Sequence, residues 1–266
     1  MIRRAAPAGV WLAALALCSA VAQAAPVEEI VQLPSEGGAI LPYLLSRDDT
    51  REVKVAAILF TGGGGAVGLQ RRGIPRPGAN FLVRSRTLFV EQGIATAVVD
   101  APSDVGAMTD GFRSGARHAR DVAAIVADLK KRFAGARVYL VGTSRGAVSA
   151  AHAGAALGSQ VAGVALTSSV FRSSRGGAGL AGFDYATIPS ALLLVHHVDD
   201  ACPVTPYWEA KRLGSSYPLI SVSGGDPARS DACEAFSAHG YLGVEAPTVA
   251  AISRWMLGLE FTRAIP

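Results

Sequence analysis

The chain has 266 residues, 50% hydrophobic and 17% charged, with 25 Lys+Arg against 21 Asp+Glu. That much apolar material suffices for one sizeable core, and α/β domains often run to this length undivided. The modest positive balance, with no dense basic helix and only 7% aromatic residues to stack bases, argues against a nucleic-acid binder.

The chain opens Met-Ile-Arg-Arg, continues through an apolar run over residues 10–21 and reaches Ala22-Gln23-Ala24. A charged start, a short apolar stretch and a small-residue cleavage site make up a secretory signal peptide. Residues 1–24 are therefore expected to be removed, leaving 25–266 as a single domain in a periplasm or outside the cell. A retained anchor is the alternative, but crossing a bilayer takes about 20 apolar residues and this run is shorter, so stable membrane insertion is not expected. Lipid attachment at Cys18 would want a small residue where Leu17 stands. Cleavage takes Arg3 and Arg4 and no acid, bringing the 25 Lys+Arg to 23 against 21 Asp+Glu, a net charge of about +2. Cys18 leaves too, so Cys202 and Cys233 remain as an even pair in an oxidising compartment, where a disulfide is the first expectation. Two separate buried thiols are the alternative.

Residues 30–33 and 40–45 read as short strands around Gly37-Gly38, an antiparallel start to a larger sheet. Residues 53–60 form a nearly continuous apolar run ending at Thr61 and four glycines, which predicts a strand buried on both faces. A loop rich in Pro and Arg follows, then a helix over 81–92 and a buried strand over 94–99. Residues 113–133 place Val122, Ile125, Val126 and Leu129 at helical spacing, with Lys130, Lys131 and Arg132 in the closing turns. A strand over 137–141, a helix over 145–157, strands over 161–166 and 191–195, a short helix over 207–212, a strand over 219–222 and a helix over 246–257 complete the alternation. Strands alternating with helices predict an α/β fold, with a mostly parallel central sheet and helices on both faces. No internal repeat or low-complexity tract interrupts it.

Between the strand ending at Val141 and an Ala-rich helix stands Gly142-Thr143-Ser144-Arg145-Gly146. A strand that turns abruptly into a helix leaves its central serine projecting and its neighbours no room for side chains, which is the context of a nucleophile elbow. The alternative is a tight turn that happens to hold a serine. A serine hydroxyl is a weak nucleophile and needs a base and an orienting acid, following in the order serine, acid, histidine. Residues 191–195 run out into His196-His197-Val198-Asp199-Asp200, and Ser237-Ala238-His239-Gly240-Tyr241 offers a histidine before the last helix.

With the 142–146 elbow, His196-x-x-x-Asp200 and His239-Gly240, the chain resembles the α/β-hydrolase superfamily from about Val53 to Leu257. The resemblance implies a serine hydrolase with Ser144 as nucleophile and His239 as base. Where relatives end a strand in His-Gly-x-x-Asp, the aspartate is the acid, which selects Asp200. His197 stands where that pattern has glycine, so Asp199 stays open as the acid, and His196 is read as support for the turn. The resemblance further implies an oxyanion hole from the N–H of Arg145 and one from the 62–65 glycines, either Gly63 or Gly64. Neither cofactor nor metal is expected. Gly63-x-Gly65-x-x-Gly68 also fits a dinucleotide fingerprint, but that motif must open a helix and carry an acid about 20 positions on. Pro75 and Pro77 interrupt the first, and residues 87–90 offer no carboxylate.

Many lipases insert a lid before the acid-bearing strand. Here the corresponding stretch, 168–189, is short and rich in Gly and Ser, so an open site is expected. The anticipated substrate is a small-molecule carboxylic ester. A peptide or amide is the alternative on the same residues, and a binding protein with a degenerate site is the alternative of another class. Arg71, Arg72, Arg76, Arg84 and Arg86 near the glycine loop could draw an anionic ester; the blander reading is a solvated face paired to local acids.

Overall fold

The computed structural model describes residues 25–75 and 80–266; the expected signal peptide and Arg76 lie outside them. β1 (Val27–Pro34) and β2 (Ile40–Arg47) form the anticipated antiparallel pair. The strands that follow are β3 (Val55–Phe60), β4 (Ala95–Val99), β5 (Arg137–Thr143), β6 (Gly163–Thr167), β7 (Ala191–His197), β8 (Leu219–Val222) and the unexpected two-residue β9 (Ala264–Ile265). They form one sheet in the order β1-β2-β4-β3-β5-β6-β7-β8-β9, antiparallel at β1/β2 and β2/β4 and parallel from there on.

Alternation along the central strands explains why they read as unbroken apolar runs. Ala56, Ile58 and Phe60 of β3 face one core and Val55, Ala57 and Leu59 the other, so both pleat faces are buried. The first core is closed by α5 (Ala116–Arg132), through Val122, Ile125, Val126 and Leu129, and by α6 (Gly146–Leu157). The second is closed by α2 (Phe81–Arg84), α3 (Arg86–Glu91) and α8 (Glu245–Leu257). Each fully buried Leu, Ile or Phe contributes about 1.5–3 kcal/mol. α7 (Tyr207–Leu213) adds Ala210 to the first core.

Two expected helices are broken in the structure. Residues 81–92 divide into α2 and α3 at Ser85. The helix expected from Arg113 divides into α4 (Asp110–Arg113) and α5, because Gly115 is extended (φ −80°, ψ 157°) and restarts the helix as its N-cap. After the glycine loop, α1 (Leu69–Arg72) is one turn, too short to seat a pyrophosphate as the dinucleotide reading requires.

The parallel order reverses at β3, which lies between β4 and β5. Ligand crevices in open α/β sheets form beyond the carboxyl ends of strands at such a reversal. The glycine loop leaves β3 there and the 142–146 segment leaves β5 beside it.

Candidate active site

Ser144 holds the left-handed conformation, φ 54°, which costs a non-glycine residue on the order of 1–3 kcal/mol. Its N–H donates to Thr167 O of β6 at 3.0 Å. The flanking glycines have no substitutes. A Cβ on Gly142 would lie 2.2 Å from Gly146 O, and one on Gly146 would lie 2.1 Å from Phe60 O. The sharp turn is thus enforced by close backbone approach, and it lifts Ser144 to the wall of a cavity of about 330 Å³.

The candidate acid, Asp200, follows the end of β7, and the candidate base, His239, lies in the loop before α8. Asp200 is buried, and four groups surround its carboxylate. Cys202 N–H donates to Oδ1 at 3.0 Å, Thr205 Oγ1 donates to Oδ2 at 2.9 Å, His239 Nδ1 lies 2.9 Å from Oδ2, and His196 Nε2 lies 3.5 Å from Oδ2. Burial pushes this carboxyl up, but hydrogen bonding to His196 and His239 outweighs it and holds Asp200 well below the usual carboxylate range. Asp199 is exposed, and among the described residues its carboxylate has no hydrogen-bonded partner. The structure therefore joins Asp200, not Asp199, to His239.

His239 is 4% exposed and lines the same cavity as Ser144. Its Nδ1 is engaged by Asp200, while its Nε2 is buried without a hydrogen-bond partner among the described residues, Ser144 Oγ included. Its backbone is pinned from both sides. Ser168 Oγ donates to His239 O at 2.8 Å, and Arg84 Nη2 donates to Gly240 O at 2.5 Å. His196 packs against Phe171 and lies with Nε2 2.7 Å from Thr205 O, a supporting place that keeps Thr205 against Asp200.

Of the expected oxyanion residues, Gly63 and Arg145 line the cavity with Ser144, and Gly62 lines it as well. Gly64 does not line it; its carbonyl accepts Met108 N–H at 2.8 Å, and a Cβ there would meet Ala107. Gly62 escaped the sequence reading because four adjacent glycines carry no side-chain signal. It lies so close to Ser144 that a Cβ on it would be 2.9 Å from Ser144 Cβ. The Arg145 side chain is engaged elsewhere: Nε donates to Asp110 Oδ1 at 2.8 Å and Nη2 to Gly176 O.

Cys202 and Cys233 are disulfide-bonded and both line the cavity. Between β6 and β7 the chain carries a bridge at Ser174–Gly177 and one 3₁₀ turn, Tyr185–Thr187, and Val170 and Ser174 of this stretch line the cavity. Two of the five arginines are spent. Arg86 is buried and paired to Glu28 at 2.7 Å, and Arg84 is paired to Glu245 at 2.9 Å. Those partners are distant in sequence rather than local. Arg71 and Arg72 lie on α1. Among the described residues no group of three or more His, Cys, Asp or Glu side chains could hold a metal ion, and no helix is long and apolar enough to cross a membrane.

No protein-family model and no curated protein matches the sequence. Solved structures do match in shape. Est1E from Butyrivibrio proteoclasticus is 15% identical, with a TM-score of 0.59 over 86% of this chain and 98% of that one. XC6422 from Xanthomonas campestris, described as an α/β serine hydrolase without lid, is 14% identical, with a TM-score of 0.59 over 86% and 94%. Dienelactone hydrolase from Anabaena variabilis is 15% identical, with a TM-score of 0.59 over 89% and 99%. At such identities the likeness speaks for architecture, and with the strand order and the 142–146 turn it gives this chain the α/β-hydrolase fold.

Proposed function

We propose that the protein is an exported serine hydrolase that cleaves carboxylic esters through an acyl-enzyme. The observation that carries this reading is His239, whose Nδ1 is held by Asp200 while its buried Nε2 is left without a partner in the lining of the cavity that Ser144 also lines. A buried ring nitrogen without a partner is costly, and a base needs that atom free to receive the serine proton. In the mechanism, Ser144 Oγ attacks the ester carbonyl and His239 Nε2 takes its proton, then returns it to the leaving alcohol. Asp200 fixes the tautomer and steadies the imidazolium. The N–H groups of Gly63 and Arg145 hold the oxyanion, and water, activated by the same histidine, releases the acid. The solved structures similar to this chain also include a cold-adapted esterase, which favours esters as the substrate class.

The test is labelling by a fluorophosphonate probe, which reacts with an activated serine. Wild-type protein is expected to label and Ser144→Ala to remain unlabelled at equal folded concentration. Folded wild type that does not label would support a binding protein on this fold instead. Export rests on the pattern of residues 1–24. Cell fractionation is expected to find the protein in the periplasm or medium with Ala25 as its first residue; protein confined to the cytoplasm with residues 1–24 intact would remove it.

A further inference from the structure

Four glycines in succession, Gly62 to Gly65, are the least ordered material from which to build an oxyanion hole. Glycine loses more conformational freedom on ordering than any other residue, and oxyanion donors are effective only when their directions are fixed beforehand. Something must hold this loop, and its own side chains cannot.

Beneath it lies Arg113, the last residue of α4, 1% exposed and the largest fully buried side chain among the described residues. Its guanidinium meets only neutral oxygens. Nε donates to Met108 O at 3.1 Å, Nη1 to Ser149 Oγ at 2.8 Å, and Nη2 to both Thr61 O and Gly63 O at 3.2 Å. Among the described residues no carboxylate is ion-paired with it; the nearby Asp110 is bound to Arg145. A buried cation without a counter-ion is expensive, and a fold that needed only filler would place an apolar side chain there. Burial and the Arg145 charge push its pKa down to about 10, with Asp110 pulling the other way, so the group is still protonated at neutral pH.

We infer that Arg113 is a positioning residue for the oxyanion hole, orienting the peptide planes of the glycine loop and locking that loop to the helix that follows the nucleophile. In a planar trans peptide the carbonyl and the N–H point in opposite directions. Drawing Thr61 O and Gly63 O toward the buried guanidinium turns the Gly62 and Gly64 N–H groups the other way. The plane between them is set by Gly65 N–H, which donates to Gly62 O at 3.1 Å, and so the direction of the Gly63 N–H is fixed from both sides. The fourth contact, Ser149, belongs to α6, whose leading end supplies the Arg145 N–H. One side chain thus spans the two elements that carry the two donors. Gly65 accepts this arrangement because it has no side chain: a Cβ there would lie 2.6 Å from Arg113 Nη2 and 2.3 Å from Met108 Cε.

The inference rests on the hydrolase reading for its kinetic arm and stands apart from it in its structural arm. Arg113→Lys keeps the charge but loses the fork that reaches both carbonyls. It is expected to lower kcat for an activated ester roughly 10²-fold, the loss typical of one misplaced oxyanion donor, with KM within about threefold, measured well below the variant's own melting temperature. Affinity for a boronic acid, which forms a tetrahedral anion on the serine, should fall with kcat, while affinity for the product carboxylate should not. Independently of any activity, amide exchange at Gly62 to Gly65 should quicken. Should Arg113→Lys fail to fold, Ser149→Ala, which removes only a hydroxyl, decides, with a smaller loss of roughly three- to tenfold and the same change in exchange. Unaltered kcat, or unaltered loop exchange whatever happens to kcat, would overturn the inference. A wild-type protein inert toward esters and phosphonates would instead overturn the hydrolase reading and leave the exchange measurement to judge Arg113.

Discussion

Replacing Asp200 by asparagine is expected to lower kcat roughly 10³- to 10⁴-fold, while Asp199→Asn stays within about twofold of wild type. The contrast follows from where the two carboxylates lie. Asp200 is buried, and its Oδ2 lies 2.9 Å from His239 Nδ1 and accepts from Thr205 Oγ1, also at 2.9 Å. An amide there presents an NH₂ to two groups that need an acceptor, so the ring loses the tautomer that leaves Nε2 able to take a proton. The exposed Asp199 contributes its backbone N–H, which donates to His197 Nδ1 at 3.1 Å, and an asparagine preserves that. The pH profile carries the same logic. Hydrogen bonds from His196 and His239 hold Asp200 well below the usual carboxylate range against the upward push of burial, so it stays ionised while the base takes up its proton. As pH falls, Asp200 should therefore add no limb of its own to log kcat/KM, whose acid slope should not exceed one. Steady-state kinetics of both variants from neutral to acid pH decide the matter. Equal losses in the two variants, or a slope of two, would remove Asp200 from its role.

What the sequence reveals and what it conceals divides along the reach of each signal. β3 and β5 are legible because burial on both faces leaves an unbroken apolar run, and the turn at Ser144 is legible because Gly142 and Gly146 stand where backbone meets backbone at 2.2 and 2.1 Å. The choice between Asp199 and Asp200 is not local: it depends on how the turn after β7 leaves the sheet, and on Thr205 and His239 arriving from elsewhere. Gly63 and Gly64 are chemically identical neighbours, separated only by which carbonyl Met108 and Arg113 claim. The arginines near the loop look like an anion-attracting cluster until Glu28 and Glu245 come in from remote segments. Arg113 itself reads as the polar first residue of a long helix. Only the break at Gly115, which has no apolar periodicity to announce it, puts Arg113 on a separate turn aimed at the glycines. Features fixed by short-range sterics are thus readable, and features fixed by long-range polar partnership are not.

Removing the disulfide is expected to have the largest effect on stability. Cys202 and Cys233 are 31 positions apart, and closing a loop of that size restrains the unfolded chain by about 3–4 kcal/mol in the chain-entropy model. For a domain of this length each kcal/mol corresponds to roughly 2–4 °C, so the Cys202→Ser/Cys233→Ser protein should melt about 6–16 °C lower. The effect on catalysis should fall unevenly on the two loops joined. Cys202 is held on its own side by its N–H, which donates to Asp200 Oδ1 at 3.0 Å, so the acid keeps its place without the bridge. On the other side, the chain between β8 and the 3₁₀ turn at Ala238–Gly240 has no regular secondary structure, and the bridge ties it down just ahead of His239. Loosening should therefore appear as mobility of the base. Well below its melting temperature the double variant is expected to label more slowly with a fluorophosphonate and to lose kcat by a similar factor, because both reactions need His239 beside Ser144. A melting point unchanged from wild type would mean that the bridge restrains nothing the fold does not already hold. A lowered melting point with an undiminished labelling rate would assign it to stability alone and leave the position of His239 to Ser168, Arg84 and Asp200.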